Sequence, residues 1–541
     1  MNSRWLFMLL ALVLLPQAVR AIVVSNEYRR VLPYRPSYFD PIEAEDLPEI
    51  QIIRQVFDSL VTIDKELAII PLLAQKWDVD PSGLKYTFHL RNGTKFHTGR
   101  ALSAADVIFS FERLIGSKKS RFASDFMNIR GAKEFRDGRA ATISGIKPEG
   151  NLKIMFELVG RDPLFLTLLS SPVASIVPKP EILKTPHFFK QPIGTGAFEF
   201  DCSNSKFLLL RANENYFLGR PKLNRLVYKV YVDLPSEEII ADFASGQLDD
   251  IAPLTLPKNI NKDNFSRVFS TGVFSFALTL NPDIPPLNKL PVRQALAHLL
   301  DVDKVLDGLE RDYPYLQISH SFIPRGRTGF QPDFKRLTFD RTVALGLIKN
   351  AGYKSFNNLE SIGIYFTVSL PYVTQITHYL DRTLTEVGWK HEIHVLKGKE
   401  GPQMMDSRKW NMFFAGYDTA YPDSYFLLKG FHSKWGTSML TARSKILDNL
   451  LKQIDGEHDW RLRRKLYEQM NRKVVDLAYV IPFYSGDTFD GYFQPWIGGV
   501  AYSPMGPHHI RFHSVFVISE KTSQRKELSY SCNQKLEEKN P

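Results

Sequence analysis

Apolar and polar residues alternate strictly from Leu84 to Leu90, at the start of the stretch LKYTFHLRNGTKFHTGRALSAADVIFSFERL. Alternation with a period of two is typical of a strand that buries one face. An Asn-Gly pair then provides a turn signal, and Ser103 stands three residues before Asp106 at the head of an apolar series with helical spacing. The stretch therefore predicts a strand, a turn and a capped helix in close succession, which indicates folded scaffold rather than a catalytic loop.

The length of the chain, 541 residues, is too great for one hydrophobic core. Domains of about 100 to 200 residues predict two or three lobes. Strand patterns, as in SKFLLLRA and LVYKVYVDL, alternate with helix patterns, as in RTVALGLIKNAGY. This alternation predicts an α/β architecture with mixed sheets, and large clefts in such proteins tend to lie between lobes.

Three helices are predicted from spacing and from their end signals. Apolar residues near the N-terminus recur at helical spacing and predict one helix with a buried face, at Ile53, Val56, Phe57, Leu60 and Val61. Glycine follows each of two later helices as a C-terminal cap, at Gly246 and Gly352.

The first residues have the pattern of a secretory signal peptide, which we assign to residues 1–21. Arg4 precedes an apolar run from Trp5 to Leu15, and small residues follow up to Ala21. The run is shorter than the ~20 residues that a membrane-spanning helix needs. No cysteine follows it, so we expect no lipoprotein anchor and predict a soluble protein of the periplasm.

The chain contains two cysteines, Cys202 and Cys532, and disulfides persist outside the cytoplasm. Two alternatives remain. The cysteines either form a disulfide that ties the charged C-terminal tail to the body, or they are free thiols. The formal net charge is +11, but the basic residues are dispersed. A solvated surface is favoured over a nucleic-acid site, because secreted proteins rarely meet nucleic acid.

Motifs for catalysis or metal binding are weak. Gly194–Gly196 lacks the lysine and hydroxyl residue of a phosphate loop and predicts a backbone turn. Two groups of histidines lack the spacing of a zinc protease and have no cysteines at ligand spacing. They are His391 with His394, and His508, His509 and His513. We therefore predict no catalytic residue, no metal site and no cofactor.

The segment IIPLLAQKWDVDPSGLKYTFHLRNGTKFHTGRALSAADVIFSFERL closely resembles the signature of family 5 bacterial solute-binding proteins, the dipeptide and oligopeptide receptors of ABC importers. The matching positions are Pro71, Leu73, Ala74, Trp77, Gly83, Phe88, Leu90, Arg91, Phe96, His97, Gly99, Ala105, Asp106 and Val107. Further matches follow in the same order, in PIGTGAF, SGQLDD, LTLNPDIPPLNKLPVRQALAHLLD and LIKNAGY. The resemblance covers nearly the whole chain after the signal peptide.

This resemblance implies a periplasmic-binding-protein-like α/β fold (type II, cluster C), with two lobes joined by a hinge and an inserted extra domain. It predicts a division into lobe I (22–47, 187–272 and 488–520), inserted domain II (48–186), lobe III (273–487) and a charged C-terminal tail (521–541). The signature segment would lie in domain II and pack against lobe I without touching the ligand.

Peptide-binding relatives hold the peptide's amine with an aspartate in a glycine-aromatic-x-x-aspartate stretch. The stretch WNMFFAGYDTAYPDSYFLL resembles it at Gly416 and Tyr417, but Ala420 stands in the place of the aspartate. On a strand, Asp418 would share a face with Ala420, so it is either the amine's partner or a solvated turn residue. The predicted ligand-binding residues are Tyr38, Trp410, Tyr417, Asp418, Thr419 and Tyr421, with core packing as the alternative for Trp410.

The resemblance implies a monomeric receptor without a catalytic step. It would close its lobes on a short peptide and deliver that peptide to an inner-membrane ABC permease. A non-peptide solute, such as a metal chelate, an oligosaccharide or an opine-like compound, is the alternative ligand. A secreted hydrolase is a distant alternative.

Overall fold

The computed structural model describes residues 26–530, except 37, 45, 66, 232–236, 252–259, 271–274, 306–315, 326, 367–372, 398–399, 418–420, 422, 435–439, 458, 487, 502–504, 506–508, 524, 527 and 529. The predicted signal peptide, Asp418, Thr419 and Cys532 lie outside the described residues. Across the part that is described, no helix combines the length and the apolar character needed to cross a membrane.

The strands, numbered in chain order, are β1 (Glu27–Leu32), β2 (Val61–Ile63), β3 (Ile69–Pro71), β4 (Ala74–Val79), β5 (Lys85–Leu90), β6 (Ile146–Pro148), β7 (Lys153–Glu157), β8 (Phe198–Ser203), β9 (Phe207–Ala212), β10 (Arg225–Val230), β11 (Asp250–Ile251), β12 (Ser266–Ser270), β13 (Ser275–Leu280), β14 (Leu316–Ile318), β15 (Ile362–Phe366), β16 (His391–Val395), β17 (Met412–Tyr417), β18 (Val480–Gly486), β19 (Thr488–Phe493), β20 (Ile497–Gly498) and β21 (Phe516–Val517).

The α-helices are α1 (Leu47–Val56), α2 (Ala104–Gly116), α3 (Ala132–Arg136), α4 (Phe165–Leu169), α5 (Lys179–Lys184), α6 (Glu237–Ala244), α7 (Leu290–Leu299), α8 (Arg341–Asn350), α9 (Val373–Glu386), α10 (Glu400–Ser407), α11 (Ser424–Leu428), α12 (Lys445–Gly456) and α13 (Trp460–Asp476).

Three sheets organise the molecule. A mixed sheet in the order β1-β10-β9-β8 takes its strands from either side of the predicted insertion, and we call the part around it lobe I. An antiparallel sheet in the order β4-β5-β7-β6 defines domain II. A mixed sheet in the order β14-β18-β13-β17-β15-β16 defines lobe III. This layout confirms the predicted α/β class, whereas the residue boundaries between the parts stay predictions.

The alternating stretch forms β5 and α2, as predicted. Tyr86, Phe88 and Leu90 of β5 point into the core of domain II. The backbone N–H of Ser103 donates to the carboxylate of Asp106 at 3.1 Å, which completes the predicted helix start. The signature segment is therefore scaffold for domain II.

The predicted helix across 53–61 is only partly correct, because α1 ends at Val56. The N–H of Gly196 donates to the carbonyl of Val56 at 2.9 Å, and the glycine backbone packs so closely on the helix end that a side chain there would collide with it. Asp58 then turns into the interior, where it forms a 2.8 Å ion pair with Arg511. The helix therefore ends where a segment distant in sequence packs on it. That segment is the backbone turn at Gly194–Gly196.

His97, from the family signature, joins domain II to this turn of lobe I. Its Nδ1 accepts the N–H of Gly194 at 3.2 Å, and its Nε2–H donates to the carbonyl of Gly196 at 3.0 Å. The bond to Nδ1 requires the neutral imidazole, since a protonated Nδ1 cannot accept, and burial lowers the pKa of His97 to about 4. The signature histidine therefore holds two parts of the chain together.

Arg525 and other described residues after 520 are docked on lobe I. The buried carboxylate of Asp249 accepts the backbone N–H of Arg29 at 2.7 Å and the indole N–H of Trp496 at 2.6 Å. Arg525 adds a buried ion pair to the same carboxylate at 2.8 Å. The N-terminal strand and the C-terminal segment thus share one buried charge cluster.

Cys202 of β8 is disulfide-bonded. The ring of Tyr530, close in sequence to Cys532, packs on Phe207 at 5.3 Å, beside Cys202. This position supports a bridge between Cys202 and Cys532, although the pairing itself stays a prediction.

We predict that acid weakens the fold through His97. In the unfolded chain the histidine takes up a proton near its ordinary pKa of 6.5, but in the fold only near 4, so lowering the pH through this window destabilises the fold by up to roughly 3 kcal/mol. The His97→Gln variant, which does not titrate, should lack this part of the pH dependence. Urea unfolding from pH 7 to pH 4 measures it.

The matched control is His378→Gln, because His378 is exposed on α9. This variant should keep the wild-type dependence of unfolding free energy on pH. Equal pH profiles for His97→Gln and the wild type would contradict the proposed role of His97.

Candidate ligand-binding cleft

The ends of several strands lie at one edge of the lobe III sheet, in an arrangement that is suited to ligand binding. β15 and β17 are parallel, and their carboxyl ends lie at this edge. Tyr417, the last residue of β17, pairs with Ser275 at the start of β13, and Gly486 at the end of β18 pairs with Leu316. Ligands of open α/β sheets bind outside the carboxyl ends of their strands. This edge is therefore the candidate site.

Two paired strands leave the same edge and enter lobe I. β13 pairs with β18 in lobe III, and their continuations β12 and β19 pair in a small sheet with β11. The N–H of Asp249, next to β11, donates to the carbonyl of Arg29 in β1 at 2.9 Å. The paired strands therefore form the predicted hinge, and the edge of the lobe III sheet faces lobe I across it.

On the side of lobe I, two tyrosines follow the carboxyl end of β1, Tyr34 and Tyr38, each 37% exposed. The hydroxyl of Tyr34 donates to the carboxylate of Asp46 at 2.7 Å. Tyr38 packs edge-on against Phe189 at 5.6 Å, and burial raises its pKa above the ordinary value. Both rings are held in place and partly open to solvent, so the ligand contact predicted for Tyr38 is sterically possible and stays a prediction.

Tyr417 and Trp410 lie inside lobe III rather than at its surface. The hydroxyl of Tyr417 pairs with that of Thr279, and its ring packs on Phe322 at 5.4 Å. Trp410 is fully buried and packs on Phe413 at 5.7 Å. Both rings are buried, so the structure favours core packing, which was the alternative for Trp410, while the predicted ligand contacts stay predictions.

Tyr421 lies where lobe III meets domain II. Its hydroxyl donates to the carboxylate of Asp125 at 3.1 Å, and its ring packs on Phe426 at 4.0 Å. The guanidinium of Arg327 donates to the carbonyl of Tyr421 at 2.6 Å. Asp418 and Thr419, just before it in the chain, lie outside the described residues, so their predicted role stays a prediction.

Three residues of this junction were missed from the sequence, Asp125, Arg327 and Lys429. The ammonium of Lys429 lies 2.6 Å from the carboxylate of Asp125. None of the three stands in a motif, and Asp125 precedes Lys429 by about 300 residues. Only the fold brings them together.

Gly416, which the sequence placed in the ligand motif, makes room for an aromatic pair beside the hinge. Its cross-strand partner Phe276 stacks on Tyr484 with ring centroids 4.5 Å apart. A Cβ atom added to Gly416 would lie 2.8 Å from the ring of Phe276. The glycine is therefore required for packing at the edge of the sheet.

Two large cavities among the described residues lie away from this edge. One of about 740 Å³ lies on lobe III between α12 and α13, and one of about 480 Å³ lies between domain II and lobe III next to Asp125.

His391 bonds to Asp381, and His394 stacks on Tyr365. Throughout the described ranges, no group of three or more His, Cys, Asp or Glu residues is arranged to hold a metal ion.

Two lobes joined by paired strands, with a sheet edge facing the space between them, define a two-lobed binding protein of the periplasmic type. Residues 68–438 match the family described as bacterial extracellular solute-binding proteins, family 5. Because the match covers more than half of the sequence, the chain belongs to this family, as its signature residues predicted.

Relatives are similar over most of their length. The dipeptide-binding protein of Escherichia coli is 25% identical over 484 residues, which cover 83% of this chain and 86% of the relative. The heme-binding protein A of Haemophilus influenzae is 25% identical over 491 residues, covering 84% and 85%. The solved structure of the Escherichia coli murein tripeptide binding protein is 20% identical, covers 91% of this chain and 99% of its own, and gives a TM-score of 0.77, which confirms the predicted fold.

We predict that Gly416→Ala destabilises lobe III by about 1 to 3 kcal/mol, because the methyl group overpacks the stacked ring of Phe276. The control is Gly346→Ala on α8, where an added Cβ meets nothing within 4 Å. That substitution should stabilise by about 0.5 to 1 kcal/mol through helix propensity. Urea unfolding of both variants measures the difference. Equal or greater stability of Gly416→Ala would contradict the packing role.

Proposed function

We propose that the protein is a periplasmic receptor of an ABC importer, which captures short peptides between lobe I and lobe III and delivers them to an inner-membrane permease. The observation that carries this proposal is the sheet edge of lobe III, whose strand ends face lobe I across the paired hinge strands. Membership of the solute-binding family and likeness to dipeptide and murein tripeptide binding proteins support it.

Closure supplies the binding step in this proposal. A ligand that contacts both lobes stabilises the closed state by its differential affinity, and the hinge strands absorb the rotation. An extended peptide would bind through main-chain hydrogen bonds, as an added strand does. Selectivity for short peptides over other solutes would then depend on the charged ends of the peptide.

Asp418 is the proposed partner of the peptide's amine. In the sequence it directly follows Tyr417, the last residue of β17. Ala420, in the usual place of the aspartate, offers no charge. A carboxylate in a closed cleft forms a charge-assisted hydrogen bond with an ammonium group.

The receptor acts as a monomer and has no catalytic step in this proposal. A non-peptide solute is the second candidate ligand. Two observations favour it: the relative named heme-binding protein A is as similar as the dipeptide-binding relative, and Ala420 replaces the aspartate of the peptide-binding pattern.

The test of the proposal is to purify the protein from its native periplasm, denature it and identify the released small molecules by mass spectrometry. Short peptides of mixed sequence are expected. One defined non-peptide compound would favour the second candidate. If the purified protein carries no small molecule, titration calorimetry with a library of di- to pentapeptides measures whether it binds peptides. Absence of peptide binding would contradict the proposal.

We predict that Asp418→Asn weakens peptide binding at least tenfold, because the peptide's amine loses its charged partner at a cost of about 2 to 5 kcal/mol. Acetylation of the peptide's amine should weaken binding to the unmutated protein by a similar factor. In the variant it should have little further effect, since both changes remove the same pair. Calorimetry of the four combinations measures the coupling.

The matched control is Asp137→Asn on domain II, since Asp137 pairs only with the exposed Arg139 among the ion pairs described for it. This variant should bind as the wild type does. Additive losses from Asp418→Asn and acetylation would show that the two groups do not meet.

A further inference from the structure

Asp125 of domain II binds two residues of lobe III, and we call this group the Asp125 contact. Its carboxylate accepts the hydroxyl of Tyr421 at 3.1 Å and the ammonium of Lys429 at 2.6 Å. The side chain of Asp125 is 10% exposed and that of Lys429 is 34% exposed. Both bonds cross from one part of the molecule to another that is far away in sequence.

The carboxylate is held rigidly on the side of domain II. Asp125 lies in a single turn of 3-10 helix, Ala123–Phe126, and the flanking Ala123 and Phe126 are buried in the domain core. The ring of Phe122, just before the turn, meets the ring of Tyr421 edge-on at 6.4 Å. Domain II therefore presents a fixed acceptor and an aromatic face to lobe III.

The surroundings of the Asp125 contact combine charged and apolar side chains. A cavity of about 480 Å³ lies beside it, and both sides contribute charged residues, Arg161 and Asp162 from domain II and Asp455 and Arg463 from lobe III. Interfaces between moving domains are more polar than permanent ones. Tyr421 and Phe426 of lobe III are also buried beside the apolar core of domain II, so separating the two surfaces would expose apolar side chains as well as charged groups.

The contact adjoins the candidate ligand stretch in sequence. Tyr421 comes directly after residues 418–420, and α11 follows it with Phe426, on which the Tyr421 ring packs. Arg327 fixes the carbonyl of Tyr421 from within lobe III. Lobe III is joined covalently to the rest only through the hinge strands, so this contact lies on the part that moves.

We propose that Asp125, with Tyr421 and Lys429, stabilises the closed state of the receptor, and that domain II thereby takes part in ligand capture. The proposal rests on the proposed function for its ligand, but the closing equilibrium exists without one. Asp125 is a positioning residue here, because it acts through lobe III and not on the ligand.

The expected effect on affinity follows from the closing equilibrium. When the unliganded receptor is mostly open, its apparent dissociation constant is inversely proportional to the closed fraction. Removing the charge of Asp125 should lower the closed fraction, and with it the apparent affinity, by roughly tenfold, within the usual range of coupling between sites. The intrinsic affinity of the closed cleft should not change.

The test measures the distance between domain II and lobe III directly. Spin labels at Lys133→Cys on α3 and Lys452→Cys on α12, both exposed positions, report this distance by pulsed electron resonance. The comparison is between Asp125→Asn and the matched control Asp137→Asn, each without ligand and with a saturating dipeptide. Asp125→Asn is expected to reduce the short-distance population without ligand and to raise the dipeptide concentration needed to restore it, roughly tenfold.

A second pair of variants separates the contact from general destabilisation. Lys429→Gln should reproduce the effect of Asp125→Asn, and the double variant should show little additional loss, because both changes break one ion pair. Urea unfolding of each variant shows whether the fold is intact.

The outcomes separate this proposal from the proposed function. Distance distributions that are equal in Asp125→Asn and Asp137→Asn, both with and without dipeptide, overturn the role of the Asp125 contact. If the short-distance population falls in Asp125→Asn but no variant binds peptide, the result supports the role of the Asp125 contact. It then contradicts the proposal that short peptides are the ligands. Additive losses in the Lys429 double variant also overturn the role of the Asp125 contact.

Discussion

The paired strands between lobe I and lobe III are the constraint on which the rest of the structure depends. β12 continues into β13 and β18 into β19, and both continuations are antiparallel pairs on either side of the crossing. Such a two-stranded connection bends more easily than it slides, because sliding would break the register of both sheets. A closing movement of lobe III would therefore be a rotation about this connection, which would bring the residues at its sheet edge towards lobe I together.

Domain II contacts the two lobes in different ways. Towards lobe I, His97 is enclosed and forms hydrogen bonds with the backbone of Gly194 and Gly196, so the two parts behave as one body. Towards lobe III, Asp125 forms an ion pair with Lys429 beside a cavity that charged and apolar residues line together. Backbone hydrogen bonds in a packed interior are costly to break, and the ion pair of Asp125, whose side chain is 10% exposed, is partly screened by water on the Lys429 side. Under the proposed closing movement, the inserted domain would move with lobe I, and its contact with lobe III would form as the lobes approach.

The scaffold was more predictable from the sequence than the site. The alternation in β5, the capping pair Ser103 and Asp106 and the turn at 194–196 are local signals, and the structure follows them. The end of α1 was missed because the backbone that ends it lies about 140 residues further along. Tyr417 packs inside because β17 is a central strand covered on both faces, which its sequence pattern alone does not reveal. Asp125 lay beyond sequence reasoning, since its partners are distant and no spacing joins them.

The buried cluster around Asp249 has a consequence for the order in which the chain folds. Glu27 and Arg29 from the first strand, Asp249 from the middle and Arg525 from near the end all enter it. Lobe III, by contrast, is one continuous segment between the hinge strands. A chain that emerges from an export channel with its N-terminus first can complete lobe III while lobe I still lacks a partner for its buried carboxylate. Lobe I is then the last part to close, and an unfinished lobe I keeps its charged interior open to water until the residues after 520 arrive.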